Sequence, residues 1–230
     1  MKDILLVSAT RKTAAEFEES SPLSASIIKL QERSKRVTSQ IVCENRDGLS
    51  AVYNRFLNPR HSKKLIVFVH DDVSIEDLFF VEKLDQAFES FDVIGLAGNQ
   101  RPDPEDLSWF DPRQPLSGFV AHPSPEQSAP FARQTLVVSS YGPTPASCCL
   151  LDGCFLAVNT EKVLAAECSF DEQFDFHFYD LDFCKSCVER KLRLGTWPLW
   201  VVHQSGGAFG SPQWNHAAEK YQNKWKARCV

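Results

Sequence analysis

The chain has 230 residues, 43% of them hydrophobic, with 17 Phe and 5 Trp, which suffices for one large α/β domain with a substantial core. A formal net charge of -5 and a pI near 5.7 argue against a general nucleic-acid or anionic-membrane surface. No run approaches the roughly 18 apolar residues of a membrane span and no signal-peptide pattern opens the chain, so its eight Cys lead to the expectation of a reduced, cytoplasmic protein.

Ile4 to Val7 reads as a first core strand, followed by a polar crossover. Ser21-Pro22 supplies a cap and a first helical position, with Leu23, Ile27, Ile28 and Leu30 on one apolar face. Val37 to Val42 is the second strand. Beyond Asn45-Arg46-Asp47-Gly48, Leu49, Val52, Tyr53, Phe56 and Leu57 recur at helical spacing. Leu65 to Val69 is five apolar residues in a row, the pattern of a strand buried on both faces. Phe79, Phe80, Leu84, Ala87 and Phe88 mark a further helix, and Val93 to Leu96 a further strand. This alternation predicts a parallel sheet wound with helices.

Nine of the 13 prolines fall between Pro102 and Pro145, which excludes continuous helix there. Phe119-Val120-Ala121 and Leu136-Val137-Val138 suit an antiparallel ribbon or edge strands, and Trp109, Phe110, Phe119 and Phe131 give the segment apolar surface to bury. Regular structure resumes with Cys149-Leu150-Leu151 and Phe155 to Val158, then a helix from Thr160. A short helix through Leu181, Cys184, Cys187 and Val188 follows, then a strand from Trp197 to Val202 and a terminal helix from Trp214. The Cys184-Lys185-Ser186-Cys187 spacing lacks a second matching pair, so these thiols read as small buried hydrophobes.

Chemistry-bearing groups gather at three places. His70-Asp71-Asp72 ends the third strand, where ligands of open α/β sheets bind. An imidazole and two carboxylates suit a divalent cation; the plainer reading is a solvated turn, with Ser74 able to cap the next helix. Asp180-Leu181-Asp182 opens a helix, where either acid is also a good cap. His203-Gln204-Ser205-Gly206-Gly207 ends the late strand, where a lone His or a Gly pair also serves simply as a turn. No GxGxxG or P-loop lysine motif is present, which disfavours dinucleotide oxidoreductases and P-loop phosphotransferases.

In this order, these motifs make the chain from Ile4 to about Gly207 resemble the GT-A type glycosyltransferases, in particular their family-2-like group. The resemblance implies an α/β fold with a mixed, mostly parallel sheet flanked by helices. It implies a single domain over 1–230, with a nucleotide-binding half (1–99), a Pro-rich insertion (100–148), a sugar and acceptor half (149–210) and a C-terminal helix (211–230). His70-Asp71-Asp72-Val73 is similar to the DxD motif that holds Mn2+ or Mg2+ against the diphosphate of a UDP-sugar. Asp72 is then the main metal ligand, His203 a further one, and Asp71 an auxiliary ligand or ribose contact beside His70. Asp152-Gly153 to Val158 resembles the glycine-led strand of the sugar site. Phe170 to Asp182 resembles the "FDE.F" and acidic base motifs, with Asp180 as base and Asp182 orienting it or capping the helix. Ser8, Ala9, Thr10 and the loop with Glu44, Asn45 and Gly48 are expected to face uracil and ribose, with Asn54 one turn deeper.

His70 departs from the usual Asp of the DxD motif, and Tyr179 stands where the family carries a second acid. Two readings therefore stay open: an inverting transferase that delivers a sugar to an unidentified acceptor hydroxyl, or a catalytically weak or inactive UDP-binding protein. A nucleotidyltransferase is a third, weaker reading.

Overall fold

The computed structural model describes residues 1–124, 135–205 and 210–226. Strands β1 (Asp3–Ala9), β2 (Val37–Val42) and β3 (Lys64–Val69) form a parallel trio with β1 in the middle. Helices α1 (Ala14–Ser20) and α2 (Pro22–Arg33) connect β1 to β2, and α3 (Leu49–Phe56) connects β2 to β3. Pro22 opens α2 because its missing N–H costs nothing in a first turn. Ile28 departs from the expected face and is exposed.

Helix α1 lies inside the stretch expected to be a plain crossover. Only Phe17 of it is buried, so no apolar period marks it. Its start rests on a reciprocal capping box between Thr13 and Glu16.

The chain then adds β4 (Val73–Ile75), α4 (Phe80–Ser90), β5 (Val93–Gly95) and β6 (Ala97–Asn99). Ser74 sits within β4 and caps nothing; α4 begins at Phe80. The strand expected from Val93 to Leu96 is β5, and directly after Leu96 the chain continues as β6 in a different sheet.

Strands β7 (Leu116–Pro123) and β8 (Leu136–Gly142) form the expected antiparallel ribbon. After β9 (Ala146–Cys148) and β10 (Leu150–Leu151), β11 (Phe155–Asn159) inserts antiparallel between β3 and β5. Then follow α5 (Thr160–Ala165), α6 (Tyr179–Glu189), β12 (Leu194–Thr196), β13 (Val201–His203) and α7 (Pro212–Lys226). Of the strand expected from Trp197 to Val202, only Val201 and Val202, beyond Pro198, are extended, in β13, which pairs with β4 and β7; β12, which precedes the expected strand, pairs with β5 and β9.

The main sheet has the order β2-β1-β3-β11-β5-β12-β9, and its strands are mostly parallel. A second sheet runs β10-β6-β7-β13-β4, with β8 beside β7. Strand β3 lies between β1 and β11, and Phe68 on it is fully buried, with Tyr53 and Phe170 packed against its ring. Cys184 and Cys187 are buried core groups, as their spacing led us to expect. Among the described residues, no helix is long and apolar enough to cross a membrane.

Candidate functional site

At one edge of the main sheet, the ends of β1 and β2 lie side by side. Thr10 donates its N–H to Val42 and receives that of Asn45 (2.9 and 2.8 Å), while Glu44, in the left-handed region at φ 51°, donates its N–H to Lys12. Thr10 Oγ1 donates to Asp71 Oδ2 at 2.5 Å. Asp71 therefore faces the β1–β2 side rather than the metal-capable cluster described below. Ser8 is fully buried and its hydroxyl has no partner among the described residues; Ala9 is half-buried between Ser8 and Thr10.

Two residues expected beside the nucleotide are tied elsewhere. Asn54 brackets the backbone of Phe170, donating to its carbonyl at 2.9 Å and accepting its N–H at 3.0 Å. A Cβ on Gly48 would stand 2.8 Å from the Asp175 Cα. Both hold the 170–178 loop against α3, and Ser50 adds a third tie by donating to the Phe174 carbonyl. That loop in turn delivers the start of α6.

His70, Asp72 and His203 meet, with one potential ligand atom from each within 4.8 Å of the others. His203 comes close to Asp72 because β13 runs antiparallel to β4, which puts His203 opposite Val73. The imidazole Nε2 lies 3.3 Å from Asp72 Oδ1, yet that buried oxygen accepts no hydrogen bond among the described residues. Burial raises the Asp72 pKa, but the adjacent His203 overcomes this and brings it to about 2. Burial, then the neighbouring His203, lowers the His70 pKa, which keeps that imidazole neutral. For His203 itself, burial is outweighed by Asp72 and the pKa rises. An ionised carboxylate with an orphaned oxygen, flanked by two imidazoles, is a donor set that fits a divalent cation.

Next to this cluster opens a cavity of about 520 Å³. His70, His203, Asp152, Gly153 and Asp180 line it together with aromatic groups such as Trp109 and Tyr141. Asp180 stands in the first turn of α6. Phe178, just before the helix, takes a left-handed φ of 65° to make this entry, a conformation that non-glycine residues adopt at a cost. The Asp180 carboxylate accepts the Gly153 N–H at 2.9 Å. Burial and then the charge of Asp152 nevertheless push its pKa up to about 7.

A Cβ on Gly153 would meet the Tyr179 hydroxyl at 2.6 Å and Asp180 Cβ at 2.8 Å. Gly153→Ala should therefore displace the start of α6. Its stability is expected to fall by about 1–3 kcal/mol, the usual cost of overpacking, and an unchanged denaturant midpoint would contradict this.

Asp182, expected to work beside Asp180, points away from the cavity. It is fully buried, 2.7 Å from Lys224 Nζ, and accepts the Trp225 indole N–H at 3.0 Å. It ties α6 to α7. Removing one partner of a buried pair costs about 3–5 kcal/mol. Asp182→Ala should fall near the low end, because Lys224 keeps Asp171 at 2.7 Å; denaturant titration should show the loss.

The cavity also receives groups that sequence reasoning left unassigned. Asp152 accepts the Trp109 indole N–H at 2.6 Å. His122, on β7, contacts the His203 backbone carbonyl through Nδ1 at 2.9 Å. Asp152 had a signal in its place before Gly153. His122 had none, because β7 and β13 pair across 81 positions. The Gly206-Gly207 pair lies outside the described residues, as does Phe131.

A mixed, mostly parallel sheet flanked by helices, with metal-capable and acidic groups along one edge, is the GT-A architecture of glycosyltransferases. Residues 23–227 match the glycosyltransferase-like family, and the chain belongs to it. No curated protein matches. Among solved structures the chain is similar to the crystal structure of A197 from STIV, with a TM-score of 0.49 and 12% identity, covering 88% of this chain and 86% of that one.

Proposed function

We propose that the chain transfers a sugar from a UDP-sugar to an acceptor hydroxyl with inversion, in a metal-dependent reaction. The observation that carries this reading is the meeting, at one cavity, of the His70-Asp72-His203 cluster with an acid whose pKa lies near neutrality. In this reading residues 1–99 hold the nucleotide, and Ser8, Thr10, Asn45 and Asp71 receive uracil and ribose. Asp72 and His203, joined by His70, hold Mn2+ or Mg2+, while Asp71 stays with the ribose. The ion stabilises the negative charge that collects on the departing diphosphate.

Residues 149–210 handle the sugar and acceptor. Gly153 allows Asp180 and Tyr179 to pack close beside the sugar position, and Asp180 takes the proton of the acceptor hydroxyl. A base is most useful with its pKa close to the working pH. Its hydrogen bond from Gly153 orients the carboxylate. Aromatic walls from the Pro-rich segment exclude water and offer an apolar face to the acceptor ring.

The test is release of UDP from a panel of UDP-sugars, without and with acceptors. Release that requires Mn2+ or Mg2+ and stops with chelator supports the reading. Nucleotide binding without turnover across the panel favours an inactive binding protein, and release of pyrophosphate a nucleotidyltransferase.

A further inference from the structure

We propose that Cys168 and Cys187 are an oxidation site, where hydrogen peroxide converts the two thiols into a disulfide that braces the segment carrying Asp180. Neither residue lines the cavity or joins the metal-capable cluster, so the site stands whether or not the chain transfers a sugar.

The two Sγ atoms lie 3.3 Å apart, close enough for one thiol to donate its hydrogen to the other. Thiols are weak donors and acceptors, and the backbone on each side keeps this pair together. Beyond α5, Glu167 takes a left-handed φ of 51° and the Cys168 N–H returns to the Val163 carbonyl at 3.1 Å. Cys187 sits in the last turn of α6, where its carbonyl accepts the Leu192 N–H at 3.0 Å. Sulfur atoms in a disulfide are about 2.05 Å apart, so bonding asks for a short approach of side chains whose backbones are already placed.

Cys168 differs from the other buried thiols. Burial pushes Cys148, Cys154, Cys184 and Cys187 up. At Cys168 the hydrogen bond with Cys187 outweighs burial and lowers the pKa, and Arg190 and Lys224 act in the same direction against Asp182. The thiolate is the nucleophile, so Cys168 reacts first and Cys187 resolves.

The Cys168 thiolate attacks one oxygen of hydrogen peroxide and the O–O bond breaks. The other oxygen takes up a proton and leaves as water, and Cys168 is left as a sulfenic acid. The Cys187 sulfur then attacks the Cys168 sulfur, the S–O bond breaks, and the hydroxide departs with the Cys187 proton as a second water. Two thiols lose two electrons in all, and the peroxide gains them. Both cysteines are buried, which admits a small oxidant and keeps out one as large as glutathione disulfide.

The new bond closes the segment 168–187, which holds the 170–178 loop and the first turn of α6. Asn54, Ser50 and Leu49 already tie that loop to α3. The stacked rings of Phe170 and Phe183, 4.1 Å apart, link the start of the loop to α6. The disulfide makes this second link covalent, and it removes conformations from the unfolded chain.

The experiment exposes the reduced full chain to hydrogen peroxide, alkylates the remaining thiols, digests with trypsin without reductant and reads the masses. Cleavage after Lys185 separates the two cysteines, so residues 163–185 should appear bonded to residues 186–190, and dithiothreitol should release them. Cys184 shares a peptide with Cys168, so two variants assign the bond: Cys184→Ala should keep it and Cys168→Ser should lose it. The oxidised wild type should unfold at a higher urea concentration than the reduced protein, and Cys168→Ser should show no such gain.

Oxidation of the half-buried Cys43 without any bonded peptide overturns the site, as does a bond that survives in Cys168→Ser. A bonded peptide with no rise in the urea midpoint overturns the brace. Glutathione disulfide in place of peroxide should leave both thiols unmodified, and a glutathione adduct on Cys168 would overturn the choice of oxidant. Should Cys168→Ser fail to fold, fragmentation of the bonded wild-type peptide assigns the sulfur: Cys168 is expected, and Cys184 would overturn the site.

Discussion

Asp180→Asn should cut turnover by about 10²–10⁴-fold, the contribution typical of a general base, while UDP affinity stays within about twofold. The substitution keeps shape and lets the amide oxygen still accept the Gly153 N–H, so the first turn of α6 should hold. What it removes is the carboxylate that takes the acceptor proton. The wild-type kcat should rise with pH through about 7, because burial and Asp152 hold the acid protonated below that point; the variant should lose this limb.

The same shift has a consequence for stability, with a sign opposite to that of activity. A buried acid whose folded pKa lies above the ordinary carboxylate value stabilises the fold while protonated. That stability is lost as pH rises from about 4 toward 7. Asparagine never ionises, so the melting temperature of the variant should gain on the wild type between pH 5 and pH 8. A variant that turns over normally would mean that another group is the base. A variant that no longer binds UDP would move Asp180 into the nucleotide site.

The second large effect is expected at Asp72. Its carboxylate is the only charged oxygen donor in the cluster with His70 and His203, so Asp72→Ala should weaken Mn2+ binding by more than about 100-fold, beyond the loss from an outer-shell change. UDP affinity in Mn2+ should fall to the value seen with chelator. The residual affinity should equal that of the wild type in chelator, because Thr10 and Asp71 form a separate hydrogen-bonded group. Calorimetry with and without metal reads both numbers. Equal UDP affinity in the two proteins at saturating Mn2+ would remove Asp72 from the metal site.

Much of the first half of the fold was legible because its signals are local. The run from Leu65 to Val69 needs a central, buried strand, and it lies between β1 and β11 with Tyr53 and Phe170 packed on Phe68. The periodic residues of α3 face the core as their spacing requires. The second half carries its information in pairings between distant segments. Nothing local in Phe155 to Val158 says that it runs antiparallel to β3, or that the chain changes sheet at Leu96 and again at Pro198.

The candidate site was legible in part for the same reason. His70, Asp71 and Asp72 are consecutive, so their side chains cannot all face one way, and spacing alone does not say which turn inward. The structure turns Asp71 to Thr10, and His70 to Tyr179 and Phe176. His203 was expected as a further metal ligand with Asp72, at the end of a strand. It arrives through the β4–β13 pair of the second sheet. Asn54, Gly48 and Asp182 are polar or small residues beside the right elements, but each is consumed by packing that only the folded 170–178 loop and α7 create.

The most direct measurement is a crystal structure with UDP and Mn2+ soaked together, with the ion located by its anomalous signal. The account predicts the ion bonded to Asp72 and His203, its diphosphate ligand beside it, the ribose near Asp71 and Thr10, and an open path from Asp180 to the sugar position. An ion elsewhere, or a nucleotide bound with the His203 imidazole turned away from the metal, would contradict it.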